Sequence, residues 1–362
     1  MDRRACLGGK CFVTAETTTS DRRLFLERMA AAGGLGLSAM VAGCAQPSAN
    51  SANAAGGAKR LRAAFSNAGL HSTWCSLGKK TAELWGNLLN VDIEWIDGEF
   101  DPQKQRERLD VRINDPWDFC CFQAIQLDSL ESPVRRLKER GIPVISMDTL
   151  LVDKPRMREV GVWVEVTPDQ VYMGEASTRY LMQKIGGKGK VIHIGGLSAH
   201  SGARGRQQGF EKVLADYPDV EVVGGGVRWC DWDKLKARDA FESLLQQSDT
   251  PIAGAFFHSD DMALACVPAL EGTSHAGMVV TAVDGQKEGL EAIRDGRLAA
   301  TTVNPVCLIH MTALAIGQFI VRNGEKVDDV PLEIVTPGPF VSRDTGNLEA
   351  QLYLADPRHC LV

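Results

Sequence analysis

The stretch KGKVIHIGGLSAHSGARGRQQGF, residues 188–210, predicts one strand, one glycine-rich turn and the start of one helix. Residues 191–194 (VIHI) are rich in β-branched side chains, as in a buried parallel strand, and the glycine pair that follows allows a sharp turn. Arg204 and Arg206 then lie in the first helical turn, where the helix dipole disfavours a cation. Because ligands of α/β sheets bind beyond the carboxyl ends of the strands, we expect Arg204 to serve such a site. Two solvated or locally paired arginines are the alternative.

Strand-like and helix-like segments alternate on both sides of this unit. Such alternation at βαβ spacing predicts parallel sheets with helices on both faces. The chain has 362 residues, which is enough for two domains of ordinary size. We therefore predict an α/β fold of two Rossmann-like lobes that face one another across a cleft. The predicted strands are 61–65, 91–96, 119–124, 141–148, 163–166, 191–194, 220–224, 252–258, 277–283, 300–303 and 333–335.

Composition excludes several classes of function. The net charge is −6, so nothing favours nucleic-acid binding. No apolar run is long enough to cross a bilayer without interruption. The seven cysteines after residue 59 are scattered and odd in number, which does not fit a disulfide framework, and no Cys/His cluster has zinc spacing. We expect no metal and no cofactor, and buried cysteines that behave as small hydrophobic residues.

Residues 1–44 have the layout of an export signal. The pair Arg22-Arg23 precedes apolar residues, and a weakly apolar run rich in alanine and glycine occupies residues 29–42. This arrangement resembles a twin-arginine signal peptide. An amphipathic structural helix is the alternative, but such a helix would need a charged face and this segment has none.

The signal is predicted to end at Cys44. Residues 41–44 (VAGC) resemble a bacterial lipobox, in which the cysteine is lipidated and becomes the mature N-terminus. Alanine, serine, glycine and asparagine then fill most of residues 45–59, which predicts a flexible tether.

A polar residue stands at or near the end of several predicted strands. Because the carboxyl ends of parallel strands converge, these side chains can meet in one cleft. Carboxylates, an arginine and amides exchange hydrogen bonds with a ring of hydroxyl groups. Each residue taken singly is better explained as a strand-end cap or a turn residue, but the ordered set favours a site. The set is Asn67, Gln123, Asp148, Arg204, Ser259, Asp284 and Asn304.

Two tryptophans can complete such a site. Trp74 and Trp232 can cover the apolar faces of a sugar ring, although core packing explains either one alone. Asp260 and Asp261 have the composition of a metal site, but capping of the predicted helix that they begin accounts for the pair.

From about residue 60 to residue 323 the chain resembles a type I periplasmic binding protein of the ribose/galactose-type sugar ABC importers. Each of the motifs that carry this resemblance is weak evidence alone, but together they are specific for the family. They are residues 141–145 (GIPVI) running to Asp148, 187–191 (GKGKV), 204–210 (RGRQQGF), 260–264 (DDMAL), 283–285 (VDG) and 296–301 (GRLAAT).

The resemblance implies roles for individual residues. It implies hydrogen bonds to sugar hydroxyls from Asp148, Arg204, Asp284 and Asn304, and aromatic stacking from Trp74 and Trp232. The sequence departs from the family pattern at positions where asparagine is common, and these positions hold Gln123, Gln170 and Ser259.

The resemblance also implies lobe boundaries and a hinge. The N-terminal lobe is expected at residues 60–163 plus 305–333, and the C-terminal lobe at residues 164–304 plus 334–362. Three crossing strands that act as a hinge are expected near residues 160–166, 304–308 and 334–343.

These observations predict an exported, lipid-anchored solute-binding protein, located in the periplasm or on the outer face of the cytoplasmic membrane. It would capture a monosaccharide or related polyol between its lobes and present it, as a monomer, to a membrane ABC permease. A ligand sensor for a membrane receptor is one alternative. An exported enzyme using Asp148 and Asp284 as an acid/base pair is another, and we expect no catalytic residues. A sugar-responsive repressor would need a helix-turn-helix where the signal stands.

Overall fold

Residues 59–361 are described by a computed structural model. The predicted export signal, its Cys44 and nearly all of the predicted tether lie outside the described residues.

The first lobe is built on a sheet of six strands that all pair in parallel. Its strands are β1 (Leu61–Asn67), β2 (Val91–Asp97), β3 (Phe119–Phe122), β4 (Val144–Met147), β5 (Val162–Pro168) and β12 (Glu333–Thr336). They lie in the order β12-β5-β4-β3-β1-β2. Every residue of β3 and β4 is buried, because helices cover both faces of the sheet.

The second lobe is built on a sheet of seven strands. They are β6 (Gly189–Gly195), β7 (Val220–Val222), β8 (Arg228–Trp229), β9 (Gly254–Phe257), β10 (Val279–Asp284), β11 (Ala300–Val303) and β13 (Phe340–Ser342). The order is β13-β11-β10-β9-β6-β7, with β8 paired to β6. The edge strand β13 runs antiparallel to β11, so this sheet is not wholly parallel.

Eleven helices connect the strands in the described part of the chain. They are α1 (Thr73–Leu88), α2 (Pro102–Arg112), α3 (Glu131–Glu139), α4 (Met157–Val160), α5 (Gln170–Lys184), α6 (Ser201–Leu214), α7 (Lys234–Gln246), α8 (Asp260–Cys266), α9 (Lys287–Asp295), α10 (Val306–Asn323) and α11 (Leu348–Leu354). Capping residues in the sequence define where several of these helices begin. The Asp101 carboxylate caps α2 ahead of a proline, and the Asp233 carboxylate caps α7.

Among residues 59–361, one helix, α10, is long and apolar enough to cross a membrane. More than half of its residues are buried, and it packs against α1 and the first sheet. It is therefore a core helix of the first lobe.

The described chain passes between the two sheets three times: after β5, between β11 and α10, and between β12 and β13. The second and third passages fall within the predicted crossings. The predicted boundary at residues 163 and 164 is wrong, because β5 stays hydrogen-bonded to β4 and β12 and leaves the first sheet only after Pro168. Residues 333–336 likewise belong to the first sheet, through pairing with β5.

Seven cysteines of the described chain are buried, as expected of small hydrophobic residues. Burial raises the pKa of the Cys75 thiol to about 12, so this residue stays protonated at neutral pH.

Two carboxyl groups lie side by side on the last two strands at one edge of the first sheet, β5 and β12. Glu165 in β5 is paired in register with Glu333 in β12. Glu165 is 1% exposed, and its Oε2 has no hydrogen-bond partner, whereas Glu333 Oε1 accepts from Lys154 Nζ at 2.5 Å. Burial, opposed by Lys154 and reinforced by Glu333 and Asp148, raises the pKa of Glu165 to about 7. The folded state therefore holds a proton here that the unfolded chain releases above about pH 4.3.

Because the folded state retains the Glu165 proton to higher pH, we predict that the free energy of unfolding falls as the pH rises from 4.5 to 7. Glu165 alone should account for at most about 3 kcal/mol of this fall. Glu165→Gln should remove this part of the decline and stabilise the protein at pH 8. Urea unfolding at pH 5 and pH 8 measures the effect, with exposed Glu139→Gln as the control. An unchanged pH dependence in Glu165→Gln would contradict the assignment.

Candidate ligand site between the lobes

A cavity lies between the lobes, beyond the carboxyl ends of the strands, where the sequence predicts a ligand site. It is lined from both lobes, so a molecule inside it would touch both. The residues from the first lobe are Ala68, Ser72, Trp74, Cys75, Phe100, Gln123 and Asp148, and those from the second lobe and its crossing are His200, Arg206, Trp232, Ser259, Asp261, Asp284 and Asn304.

Most of the predicted ligand residues line this cavity. They are Trp74, Gln123, Asp148, Trp232, Ser259, Asp284 and Asn304. Asn67 is buried at the end of β1 but does not line it, and its Nδ2 donates to the carbonyl oxygen of Cys75 at 2.9 Å. Asn67 therefore holds the first turn of α1, which carries Trp74 and Cys75.

The prediction for Arg204 is wrong, and Arg206 occupies the cavity instead. Arg204 is exposed on α6, whereas Arg206 is 3% exposed. Two residues along an α-helix turn the side chain by about 200°, so these two arginines point to opposite sides. The spacing of Ala203, Arg206 and Phe210 places Arg206 on the buried face, and this periodicity is the signal that favours it over Arg204.

The Arg206 guanidinium is held by several groups. Its Nη1 lies 3.1 Å from Asp284 Oδ1 and also donates to the main-chain oxygen of His258. Its Nε donates to Gln170 Oε1 at 2.9 Å. Its central carbon lies 5.5 Å from the centre of the Trp232 ring, within the range of a cation–π contact. The arginine is therefore fixed in position within the cavity.

Three side-chain amides donate to the carboxylate of Asp148. Gln123 Nε2 lies 2.7 Å from Oδ2, and the amides of Gln170 and Asn304 lie 3.0 and 3.1 Å from Oδ1. Burial raises the pKa of Asp148, while Arg206 and the three amides oppose the rise. Gln123 and Gln170 stand where the family pattern often has asparagine, and in this protein both hold Asp148.

Asp284 ends β10 with a φ of 122° and pairs with Arg206. Burial raises the pKa of Asp284 to about 7, with Arg206 opposing the rise and Asp261 and Asp148 adding to it. A ligand hydroxyl that donates to this carboxylate would favour its ionised form.

The two tryptophans frame the polar groups. Trp74 is buried, and its Nε1 donates to the main-chain oxygen of Asn304 at 3.1 Å. Trp232 packs over Gly196, where a Cβ would lie 2.2 Å from the indole, so a side chain at residue 196 would displace the ring. Aromatic rings beside charged and amide groups suit a ligand ring with apolar faces and a polar rim.

The sequence patterns did not identify seven other lining residues as site residues: Ala68, Ser72, Cys75, Phe100, His200, Arg206 and Asp261. His200 caps α6 through Nδ1, which accepts from Ala203 N at 3.4 Å. Burial, with a smaller effect of Arg206, lowers the pKa of His200 to about 3, so the imidazole is neutral at pH 7. A histidine before a helix is a weak signal, because serine, threonine, aspartate and asparagine are the usual caps.

The lining groups together offer more acceptors than donors. Asp148, Asp284 and Asp261 supply carboxylate oxygens, and Asn304 Oδ1 is buried without a hydrogen-bond partner. Arg206 is the one lysine or arginine among the lining residues. Such a site suits a neutral molecule with several hydroxyl donors. Within residues 59–361, no group of three or more His, Cys, Asp or Glu side chains is arranged to hold a metal ion.

This fold and this interlobe cavity define a two-lobed binding protein. The family described as "Periplasmic binding protein domain" matches residues 63–316, which is most of the chain. The protein therefore belongs to the periplasmic binding protein family, as the sequence motifs predicted, and this membership implies an exported, periplasmic location.

Curated relatives of the chain are sugar- and polyol-binding proteins. The xylitol-binding protein of Mycolicibacterium smegmatis is 26% identical over 316 residues, which cover 87% of this chain and 85% of that protein. The ribose import binding protein of Salmonella typhimurium is 25% identical over 249 residues, which cover 69% of this chain and 80% of that protein.

Solved structures confirm the predicted fold. A twin-arginine translocation pathway signal protein from Burkholderia phytofirmans superposes with a TM-score of 0.75 at 19% identity, and the match covers 84% of this chain and 97% of that one. The two chains share the fold of two parallel-sheet lobes.

The buried position of Arg206 predicts a large loss of stability on its removal. Arg206→Ala leaves Asp284 and Asp148 buried without their cation, which should cost about 3–5 kcal/mol of unfolding free energy at pH 8. The cost should be smaller at pH 5, because the carboxyl groups can then take up protons. Urea unfolding at both pH values tests this.

Arg204→Ala is the matched control, because the same residue type is lost from the exposed face of the same helix. It should change the unfolding free energy by no more than about 0.5 kcal/mol. Equal effects of the two variants would contradict the assignment of Arg206 to the cavity.

Proposed function

We propose that this protein is an exported solute-binding protein that captures a monosaccharide or related polyol in the interlobe cavity and delivers it to an ABC permease. The observation that carries the proposal is the burial of Asp148, Arg206 and Asp284 in a cavity that two tryptophans and both lobes line. Charged groups are kept in such a place at a cost, which favours a binding role over a purely structural one.

The chemistry of the lining supports a neutral, hydroxyl-rich ligand. Asp148, Asp261 and Asp284 face a single cation, Arg206, so a sugar acid or sugar phosphate would meet an excess of negative charge. A neutral sugar or polyol can instead donate hydroxyl hydrogens to the carboxylates of Asp148 and Asp284. The polyol and sugar relatives point to the same ligand class.

Capture follows from the two-lobed geometry. A ligand that bonds to Asp148 from the first lobe and to Arg206 and Asp284 from the second stabilises the arrangement in which the lobes are close. Ligand therefore shifts the population toward the closed state, by an amount that its additional contacts determine. The closed state would be the form that a permease recognises.

A panel of pentoses, hexoses, pentitols, hexitols and inositols tests the proposed ligand class by thermal unfolding. One or a few compounds, at about 100 times their dissociation constant, should add about 2.7 kcal/mol and raise the melting temperature by several degrees. Asp148→Ala should abolish this rise, whereas Arg204→Ala should keep it. If none of the neutral sugars and polyols raised the melting temperature, the ligand class would be wrong.

We further propose that the protein is exported through its twin-arginine signal and anchored by a lipid on Cys44. In a bacterium that expresses the full chain, wild type should incorporate labelled palmitate and fractionate with membranes. Cys44→Ser should lose both, since no thiol remains at the lipobox position. Replacing Arg22-Arg23 by Lys-Lys should block export. Palmitate labelling of Cys44→Ser equal to that of wild type would refute the anchor.

A further inference from the structure

The first turn of α1 is capped by a residue of the opposite lobe. The N-cap residue of α1, Ser72, makes no side-chain capping hydrogen bond. Asp261 from α8 supplies it instead: Oδ2 accepts from Thr73 N at 3.1 Å, and Oδ1 accepts from Thr73 Oγ1 at 3.0 Å. Both carboxylate oxygens of Asp261 therefore contact one residue of the other lobe, 188 positions away in the chain.

Another residue caps α8, so Asp261 is not needed for its own helix and can bond to the other lobe. Ser259 caps α8, because its Oγ accepts from Met262 N at 3.2 Å. Asp260 points into the second lobe and accepts from Thr301 Oγ1 at 2.7 Å and from Gln286 N at 2.9 Å. The prediction that both acids cap their own helix is thus wrong.

The contact between Asp261 and Thr73 exists only while the lobes are close. When the lobes separate, the carboxylate and the helix N-terminus each return to water. A carboxylate that bonds to the N-terminal amides of a helix is favoured by both the hydrogen bond and the helix dipole. The contact therefore stabilises the closed arrangement relative to the open one, whether or not a ligand is present.

We propose that Asp261 and Thr73 form an interlobe latch that sets the closed fraction of the ligand-free protein. The proposal rests on the proposed function only in that the lobes open to admit a ligand. Because apparent affinity scales with the fraction of protein in the binding-competent state, the latch also tunes affinity. Asp261 lines the ligand cavity, but both of its carboxylate oxygens accept from Thr73, so it acts here as a positioning residue; Thr73 is absent from that lining.

A second interlobe hydrogen bond serves as the internal control. Leu150 N donates to Ser201 Oγ at 2.9 Å, and both residues line a cavity that is also lined by Glu165 and Glu333, from the two strands that precede crossings. Atoms beside a hinge move little when lobes open, so this bond should contribute little to the balance between the two states.

Small-angle X-ray scattering of the ligand-free full chain tests the latch without any ligand. Asp261→Ala and Thr73→Val should each enlarge the radius of gyration, and Ser201→Ala should leave it near the wild-type value. Hydrogen exchange at the first amides of α1 should accelerate in Asp261→Ala. Circular dichroism checks that each variant is folded.

The size of the effect follows from the strength of a helix cap. Loss of one cap corresponds to a change of about five- to tenfold in the ratio of closed to open protein. For any panel compound that binds, Asp261→Ala and Thr73→Val should weaken affinity, and the double variant should weaken it less than the two separate effects combined.

The outcomes separate the latch from the proposed function. Scattering and exchange that are unchanged in folded Asp261→Ala would overturn the latch, even if a sugar bound normally. An enlarged radius in both latch variants, together with no binding of any neutral sugar or polyol, would support the latch and overturn the proposed ligand class.

Discussion

The buried guanidinium of Arg206 is the interaction on which the ligand cavity depends. Taking a charge out of water is costly unless it is paired and fully hydrogen-bonded, and Arg206 meets that condition through Asp284, Gln170 and the main-chain oxygen of His258. In return it restrains the rise in pKa that burial imposes on Asp148 and Asp284. The cavity can therefore hold acceptors for hydroxyl groups close to neutral pH, where a cluster of carboxyl groups alone would take up protons.

The path of the chain links this charge cluster to the geometry of the two lobes. Gln170 is the first residue of α5, directly after the first passage between the sheets. Its side-chain nitrogen donates to Asp148 of the first lobe, and its side-chain oxygen accepts from Arg206 of the second. One glutamine at a crossing therefore connects the charged groups of both lobes. A change in the relative position of the two lobes would change the hydrogen bonds of Asp148 and Arg206 directly.

Much of the fold and most of the site were predictable because they follow from local patterns. Apolar strands end at the position where helices and turns begin, so polar residues such as Asp148, Asp284 and Asn304 were placed at the cleft by their distance from a strand end. The side of a helix was harder to assign. Arg204 and Arg206 lie in the same turn, and only the spacing of Arg206 from Ala203 and Phe210 favours the side that packs on the second lobe. The membership of β5 and β12 in the first sheet was predicted wrongly, since a short strand near a crossing can pair with either sheet.

The sequence by itself determined the alternation of strands and helices and the strand-end position of the polar residues. These are properties of neighbouring residues, fixed by backbone conformation, side-chain size and burial period. Only the tertiary structure decided which groups meet: Arg206 with Asp284, and Asp261 with the start of α1. These partners are far apart in the chain, and their meeting depends on how two separately packed lobes are oriented, which no local spacing specifies.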